Sequence, residues 1–279
     1  MAFTTGSATS HKDLLSKIRA IATANGWTER RYTQGGATGE DELILSSDGM
    51  SGNEYYTAAF RTYTNVGTGA YNIELATAPT YNSGAWDAQP SMSGIKVIYC
   101  NNLSMNYWLV VNKRRIMGCY QVAGIMEYFY IGKLVNYTSL GHWARASVVA
   151  GTGTSKTALW SAQGSNRSGF LYPRDNTCEI RLPNDVWAHI NQVYPTSNGA
   201  GMLSEVGTSY GSGDQWLVQL LGFTAAYKVA GEFEGCRWVP GQDVILGQLL
   251  DDSVGSHKHV VVQDVYRNGP QDHFAMELL

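Results

Sequence analysis

Two histidines one residue apart, His257-Lys258-His259, are the first place in this chain to look for chemistry. Residues i and i+2 of a strand face the same side, so copies arranged about a threefold axis would converge their imidazoles on one metal ion. A single pair carries no such symmetry, and the plainer expectation is solvated side chains at the mouth of a strand. The carboxylates fall as Glu40-Asp41-Glu42, Glu232 with Glu234, and Asp251-Asp252. A glycosidase needs two carboxylates roughly 5 to 10 Å apart in an aromatic-lined groove. None of these groups stands out from turn residues and solvated strand faces. Gly67-Thr-Gly69 and Gly151-Thr-Gly-Thr-Ser-Lys156 lack the G-x-x-x-x-G-K-[ST] spacing of a phosphate loop. The serines near His142, His189 and His273 have no nucleophile-elbow motif around them, so no triad is expected.

The remaining reactive side chains read in the same way. Cys100, Cys119, Cys178 and Cys236 lie far apart, with no C-x-x-C spacing for zinc or redox work. They are expected to be reduced, packed thiols. Lys113-Arg114-Arg115 forms a compact positive spot at the tip of an expected hairpin. Its plain reading is a solvated turn, where charge is least costly; its functional reading is an ion pair to an acidic patch on a neighbouring subunit. No catalytic, cofactor-binding or metal residue is therefore assigned. His257 and His259 stay as the weak metal alternative, and Arg114 and Arg115, with Tyr137 and Trp143 of a following loop, are the residues expected at a subunit contact.

Bulk composition narrows the function classes. The chain has 279 residues and a net charge of -3, which argues against a protein whose main task is gripping nucleic acid. Charged residues make up 15%, against about a quarter in typical domains, and Gly, Ser, Thr, Asn and Tyr fill their place. Such surfaces suit large contacts between subunits, where Tyr and Trp are enriched. The opening Met1–Ser7 has neither a basic region nor an apolar core, so no signal peptide is expected. No apolar run approaches the roughly 20 residues that cross a bilayer.

The elements that must position these residues are mostly strands. Ser10-His-Lys-Asp13 fits a capping box and opens one helix, His11 to about Ala24, with Leu14, Ile18 and Ile21 on one stripe. Gly26 is placed to end it in a left-handed conformation, and Trp27 to fold back over the last turn. Strands are expected over Glu42–Ser46, Tyr55–Tyr63, Tyr71–Leu75 and Gly94–Tyr99. A meander follows from Met105 through Val122 and on from Glu127 to Val135. Later strands are expected over Gln215–Leu221, Gly235–Gly241 and Asp243–Leu249, and a closing hairpin over Lys258–Arg267 and His273–Leu278, turning at Asn268-Gly269. The fold class is mainly β, antiparallel and sandwich- or barrel-like, with one N-terminal helix. The expected organisation is a helical segment over 1–26, a first β domain over 27–150 and a second over 151–279, with the option that they pack as one unit.

Three blocks of this pattern resemble a family of structural proteins of tailed bacteriophage virions, components of the neck or tail. The first is Gly49–Tyr63 with Tyr71–Leu75. The second is Tyr107–Arg115 with Tyr130-Ile-Gly132. The third is Cys236–Gly241 with Val262–Gly269 and Phe274–Leu278. The chain departs from the family at the middle turn, where Asn112-Lys113 stands for the usual Asn-Gly. It departs again over Val135–Trp143, where members tend to be rich in proline and tyrosine. The resemblance implies a non-enzymatic building block of the virion, made in the host cytoplasm. It implies contacts with copies of itself and with other phage structural proteins, in the head–tail neck or collar or in the tail. It brings no cofactor, no membrane insertion, no sequence-specific nucleic-acid contact and no catalytic residues. The rival it leaves open is a glycan-binding component of the baseplate or tail tip.

Overall fold

A meander with apolar residues at consecutive positions, as in Trp108–Val111 and Tyr128–Ile131, has no polar face to leave in water, and the three-dimensional arrangement shows where the second face goes. A computed structural model describes residues 1–36, 39–135, 146–161, 176–196, 217–225, 228–241, 244–251, 257–263 and 272–278. The meander is the middle of a seven-stranded sheet, with one further sheet packed against each of its faces. Every strand pairing is antiparallel among the described residues.

The central sheet runs in the order β1 (Ala2–Ala8), β7 (Met105–Asn112), β8 (Arg115–Val122), β9 (Ile125–Lys133), β10 (Ser147–Ala150), β11 (Cys178–Arg181) and β12 (Trp187–His189). Its strands on either side of position 150 are hydrogen-bonded neighbours, Ala150 opposite Cys178. The first outer sheet is β2 (Thr28–Thr33), β3 (Glu42–Ser47), β4 (Tyr56–Asn65), β5 (Ala70–Ala78) and β6 (Lys96–Cys100), in chain order. The second outer sheet runs β13 (Gln192–Tyr194), β14 (Val218–Thr224), β15 (Lys228–Trp238), β18 (His273–Glu277), β17 (Lys258–Gln263) and β16 (Leu249–Asp251).

Side chains alternate between the faces of a strand, and here both faces are buried. Leu109, Val111, Ile116, Tyr120, Phe129 and Ile131 join one core with Leu43, Leu45, Phe60, Ile73 and Ile98 of the first outer sheet. Val110, Met117, Cys119, Tyr128, Tyr130 and Val148 join the other with Phe233, Trp238, Val260 and Phe274 of the second. A sheet covered on both faces reads as an unbroken apolar run. Consecutive rings on β9 show the alternation directly. Phe129 meets Phe60 edge-on at 6.1 Å, whereas Tyr128 meets Phe274 at 5.0 Å and Tyr130 meets Phe233 at 5.4 Å on the opposite side. Edge-to-face pairs of this kind add about 0.5–1.5 kcal/mol each beyond the area they bury. Gly118 makes room for the first of them: a Cβ there would lie 2.4 Å from Leu109 Cδ2 and 3.0 Å from the Phe129 ring.

The helix α1 (His11–Ala24) closes the first core at one end, burying Leu14, Leu15, Ile18, Ile21 and Ala22. Ser10 Oγ accepts from Asp13 N at 3.2 Å, as a capping serine should. The reciprocal contact falls one residue earlier than expected, with Asp13 Oδ2 accepting from Thr9 N at 2.9 Å. Gly26 has φ +88°, and Trp27 N donates back to Ala22 O at 3.1 Å. No described helix is long and apolar enough to cross a membrane.

Candidate functional site

The two-residue turn between β7 and β8 is where the three layers come together. Asn112 begins it, and its side-chain oxygen accepts from Arg114 N at 2.7 Å and Arg115 N at 2.9 Å, the self-bonding that lets an asparagine hold a tight turn. Its main-chain oxygen accepts from the indole of Trp27 at 2.8 Å, which fixes the tip against the segment that follows α1. Lys113 O accepts from Ser47 Oγ of β3 and from the Tyr56 hydroxyl of β4. Burial, and next the nearby Glu54 charge, raise the Tyr56 hydroxyl pKa above its ordinary value, so it stays a neutral donor.

The cations of the tip diverge. Arg114 Nε lies 3.6 Å from Glu54 Oε2, and Lys133 at the end of β9 reaches the other oxygen of the same carboxylate. Arg115 points to the opposite side of the sheet, 3.6 Å from Glu234 Oε2 of β15, while Asn112 Nδ2 donates to Glu234 Oε1 at 3.3 Å. Arg115 also donates to Met1 Sδ at 3.0 Å. One short turn therefore ties α1, the first outer sheet and the second outer sheet to the central one. Gly132 permits the closeness: its φ is +150°, and a Cβ there would sit 2.4 Å from Arg114 O.

The solvated positive tip expected from the sequence is thus corrected in part. Arg115 is 1% exposed and engaged within its own chain, so it is not a surface group. Arg114 keeps a side chain 27% exposed but already faces Glu54. Only Lys113 projects, half exposed and 3.8 Å from Asp48. Tyr137, His142 and Trp143 lie outside the described residues, as does the Asn268-Gly269 turn.

A second tie sits at the far edge of the first outer sheet. Lys96 of β6 and Glu179 of β11 pair at 2.8 Å with both side chains buried, and Gly94 N donates to Glu179 at 2.8 Å. His189 Nδ1 lies 3.4 Å from the same carboxylate. A buried pair held by an extra amide donor is the arrangement that tolerates desolvation.

The residues singled out for chemistry disperse over the fold. Glu40 faces Arg61 at 3.4 Å, Asp41 faces Lys12 at 3.3 Å and Glu42 faces Arg31 at 3.2 Å. Glu232 pairs with Arg237 at 2.7 Å, and Asp251 is exposed near Lys258. His257 lies 3.0 Å from Glu277 and is half exposed, whereas His259 is 3% exposed. The two imidazoles are therefore not presented together to an outside ion. Among the described residues no three His, Cys, Asp or Glu side chains converge as metal ligands do. Gly151 and Gly153 are engaged in the sheet framework, donating to Thr177 O at 3.1 Å and Val97 O at 2.9 Å. All four cysteines are free and buried; burial pushes the Cys236 thiol up to about 12 and raises the other three as well.

Ser47, Glu54, Tyr56 and Lys133 went unassigned in the sequence because each looks ordinary in its own neighbourhood, while Trp27 is read there only as a helix-end residue and Glu234 only as one of several carboxylates. What could have drawn attention to them is position: Glu54 and Tyr56 fall inside one block of the quoted resemblance, and Lys133 and Glu234 stand next to two others. No protein-family model matches the chain, and a search of curated proteins finds no significant match.

Proposed function

We propose that the chain is a non-enzymatic structural subunit of a tailed-phage particle, assembling in the head–tail neck or collar. The observation that carries this reading is where the quoted blocks lie in the fold. The first falls on β4 and β5 of one outer sheet, and the second on β7, on β9 and on the first residue of β8 in the central sheet. The described part of the third falls on β15, the end of β17 and β18 of the other outer sheet, positions 264–269 lying outside the described residues. Glu54, Tyr56, Arg114 and Arg115 of these blocks, with Lys133 and Glu234 beside them, then meet at the 112–115 turn. A resemblance distributed in this way follows the framework of the molecule rather than a pocket. The charged groups at that meeting point hold layers together, which is the property a load-carrying subunit needs. Rings suit a neck, since each subunit presents one patch and accepts another until the rotation closes.

An amber mutation in the gene tests the reading. Under non-permissive growth, lysates should contain filled heads and tails that fail to join, visible by negative-stain microscopy and repaired by adding the purified protein. Complete particles that no longer adsorb to the host would instead favour the glycan-binding tail-tip role. Normal, infectious particles would remove the structural reading altogether.

A further inference from the structure

The three sheets present six edges, and five of them are guarded. In the first outer sheet, β2 carries Glu29, Arg30 and Arg31 and a register shift between Glu29 and Arg31, while β6 is capped by the Val97–Gly153 bridge. In the second, β13 and β16 are three residues each. In the central sheet, β12 is again three residues. Short strands, charges, irregularity and cover are the devices that stop an edge from pairing with another chain.

Among the described residues the sixth edge has none of them. β1 is seven residues long, Ala2-Phe-Thr-Thr-Gly-Ser-Ala8, without charge or proline, and pairs with β7 in unbroken register. Phe3, Thr5, Gly6 and Ser7 are exposed, and no described strand lies on its outer side. We infer that β1 is an assembly edge and that its occupant is β1 of a second copy, antiparallel about a twofold axis through Thr5.

The sequence of the strand favours its own copy over a foreign segment. With Thr5 opposite Thr5, Phe3 falls opposite Ser7, Thr4 opposite Gly6 and Ala2 opposite Ala8. Phe3 and Thr4 each meet a small residue, and of the bulkier positions only Thr5 meets a residue of its own size. No charge is brought against another, whereas like charges directly opposite are destabilising. Such an isologous seam joins the two central sheets into one continuous sheet, and it is a contact additional to the head-to-tail one that closes a ring. A strand pair about 23 Å long buries less than the roughly 1,200 Å² of a standard interface. Association in free solution is therefore weak and rises with local concentration, as in a growing particle. The seam rests on the assembly reading above, and the two can fail separately.

Sedimentation of the full chain over a wide concentration range, with two variants, tests the inference. Wild type should self-associate reversibly. Thr5→Lys, which sets a charge opposite its own copy, should weaken that association about fivefold. Thr5→Cys should form a disulfide-linked dimer under mild oxidant much faster than the exposed control Leu103→Cys, since the four native thiols are buried. Should Thr5→Lys fold poorly, the double variant Phe3→Lys/Ser7→Lys, at two exposed positions that face each other across the seam, sets lysine opposite lysine and carries the same test. Association unchanged by the lysine variants would overturn the β1 seam while leaving a structural subunit in place. A strictly monomeric wild type, with Thr5→Cys no faster than the control, would overturn it equally.

Discussion

Removing the carboxylate of Glu234 would leave Arg115 as a cation 1% exposed, with Met1 Sδ as its only remaining near contact of those described above. Removing Arg115 instead would leave a carboxylate whose side chain is 29% exposed and still accepts from Asn112 Nδ2. The two truncations of one pair are therefore unequal. Stranding a buried charge costs about 3–5 kcal/mol, so Glu234→Ala should fall in that range. Arg115→Met keeps most of the buried volume and leaves an anion that water can reach, so its cost should be about 1–2 kcal/mol, within the range of most single substitutions. At roughly 2–4 °C per kcal/mol for a large domain, Glu234→Ala should melt several degrees below Arg115→Met. The double variant Arg115→Met/Glu234→Ala should cost less than the sum of the two and less than Glu234→Ala alone, because no buried charge is left unmatched. Urea midpoints of the four proteins, read by tryptophan fluorescence, decide the matter. Equal losses in the single variants, with strict additivity in the double, would refute the claim that this contact ties the second outer sheet to the turn.

Gly132→Ala should destabilise by at least the 1–3 kcal/mol typical of overpacking, since its Cβ would lie 2.4 Å from a main-chain oxygen; a melting temperature within a degree of wild type would contradict this. Burial, and then Lys12, lower His11 to about 4 from 6.5, while Asp41 opposes them, so the folded protein holds fewer protons than the unfolded chain across that window. The His11 contribution is fully present above pH 6.5 and is lost as pH falls toward 4, at up to about 1.4 kcal/mol per pH unit. His11→Gln should flatten urea-midpoint profiles over that range, and parallel profiles would count against it. Thiol titration should find none of the four cysteines reactive in the native protein and all four reactive in denaturant, because burial raises every one of them. Trp27→Phe loses the bond to Asn112 O and should cost about 1 kcal/mol, measured by the same urea titration.

What could be read from the sequence was local. The capping serine, Gly26 and Trp27 mark α1 because each satisfies main-chain groups within a few residues. The strands β3 to β9 were legible from β-branched and aromatic runs bounded by turn residues. The same continuous run held information about the second apolar face, since strands with one wet face would alternate. The stacking of three sheets was not legible, because it depends on which distant strands cover which face. Arg115 shows the limit for the site. A cation at a tight turn is usually solvated, and only the approach of Glu234, more than a hundred residues later, makes it a buried tie. β1 was missed for a related reason: Ala2–Ala8 has little alternation, and pairing with β7 makes it a strand.

The most direct test is to count this polypeptide in infectious particles purified through a density gradient, using isotope-labelled peptides as standards. A structural subunit of a neck ring is present at a fixed small number of copies per particle, about six or twelve for a closed ring, and the count does not fall on further purification. A count that falls toward zero as the particles are cleaned would contradict the proposed role.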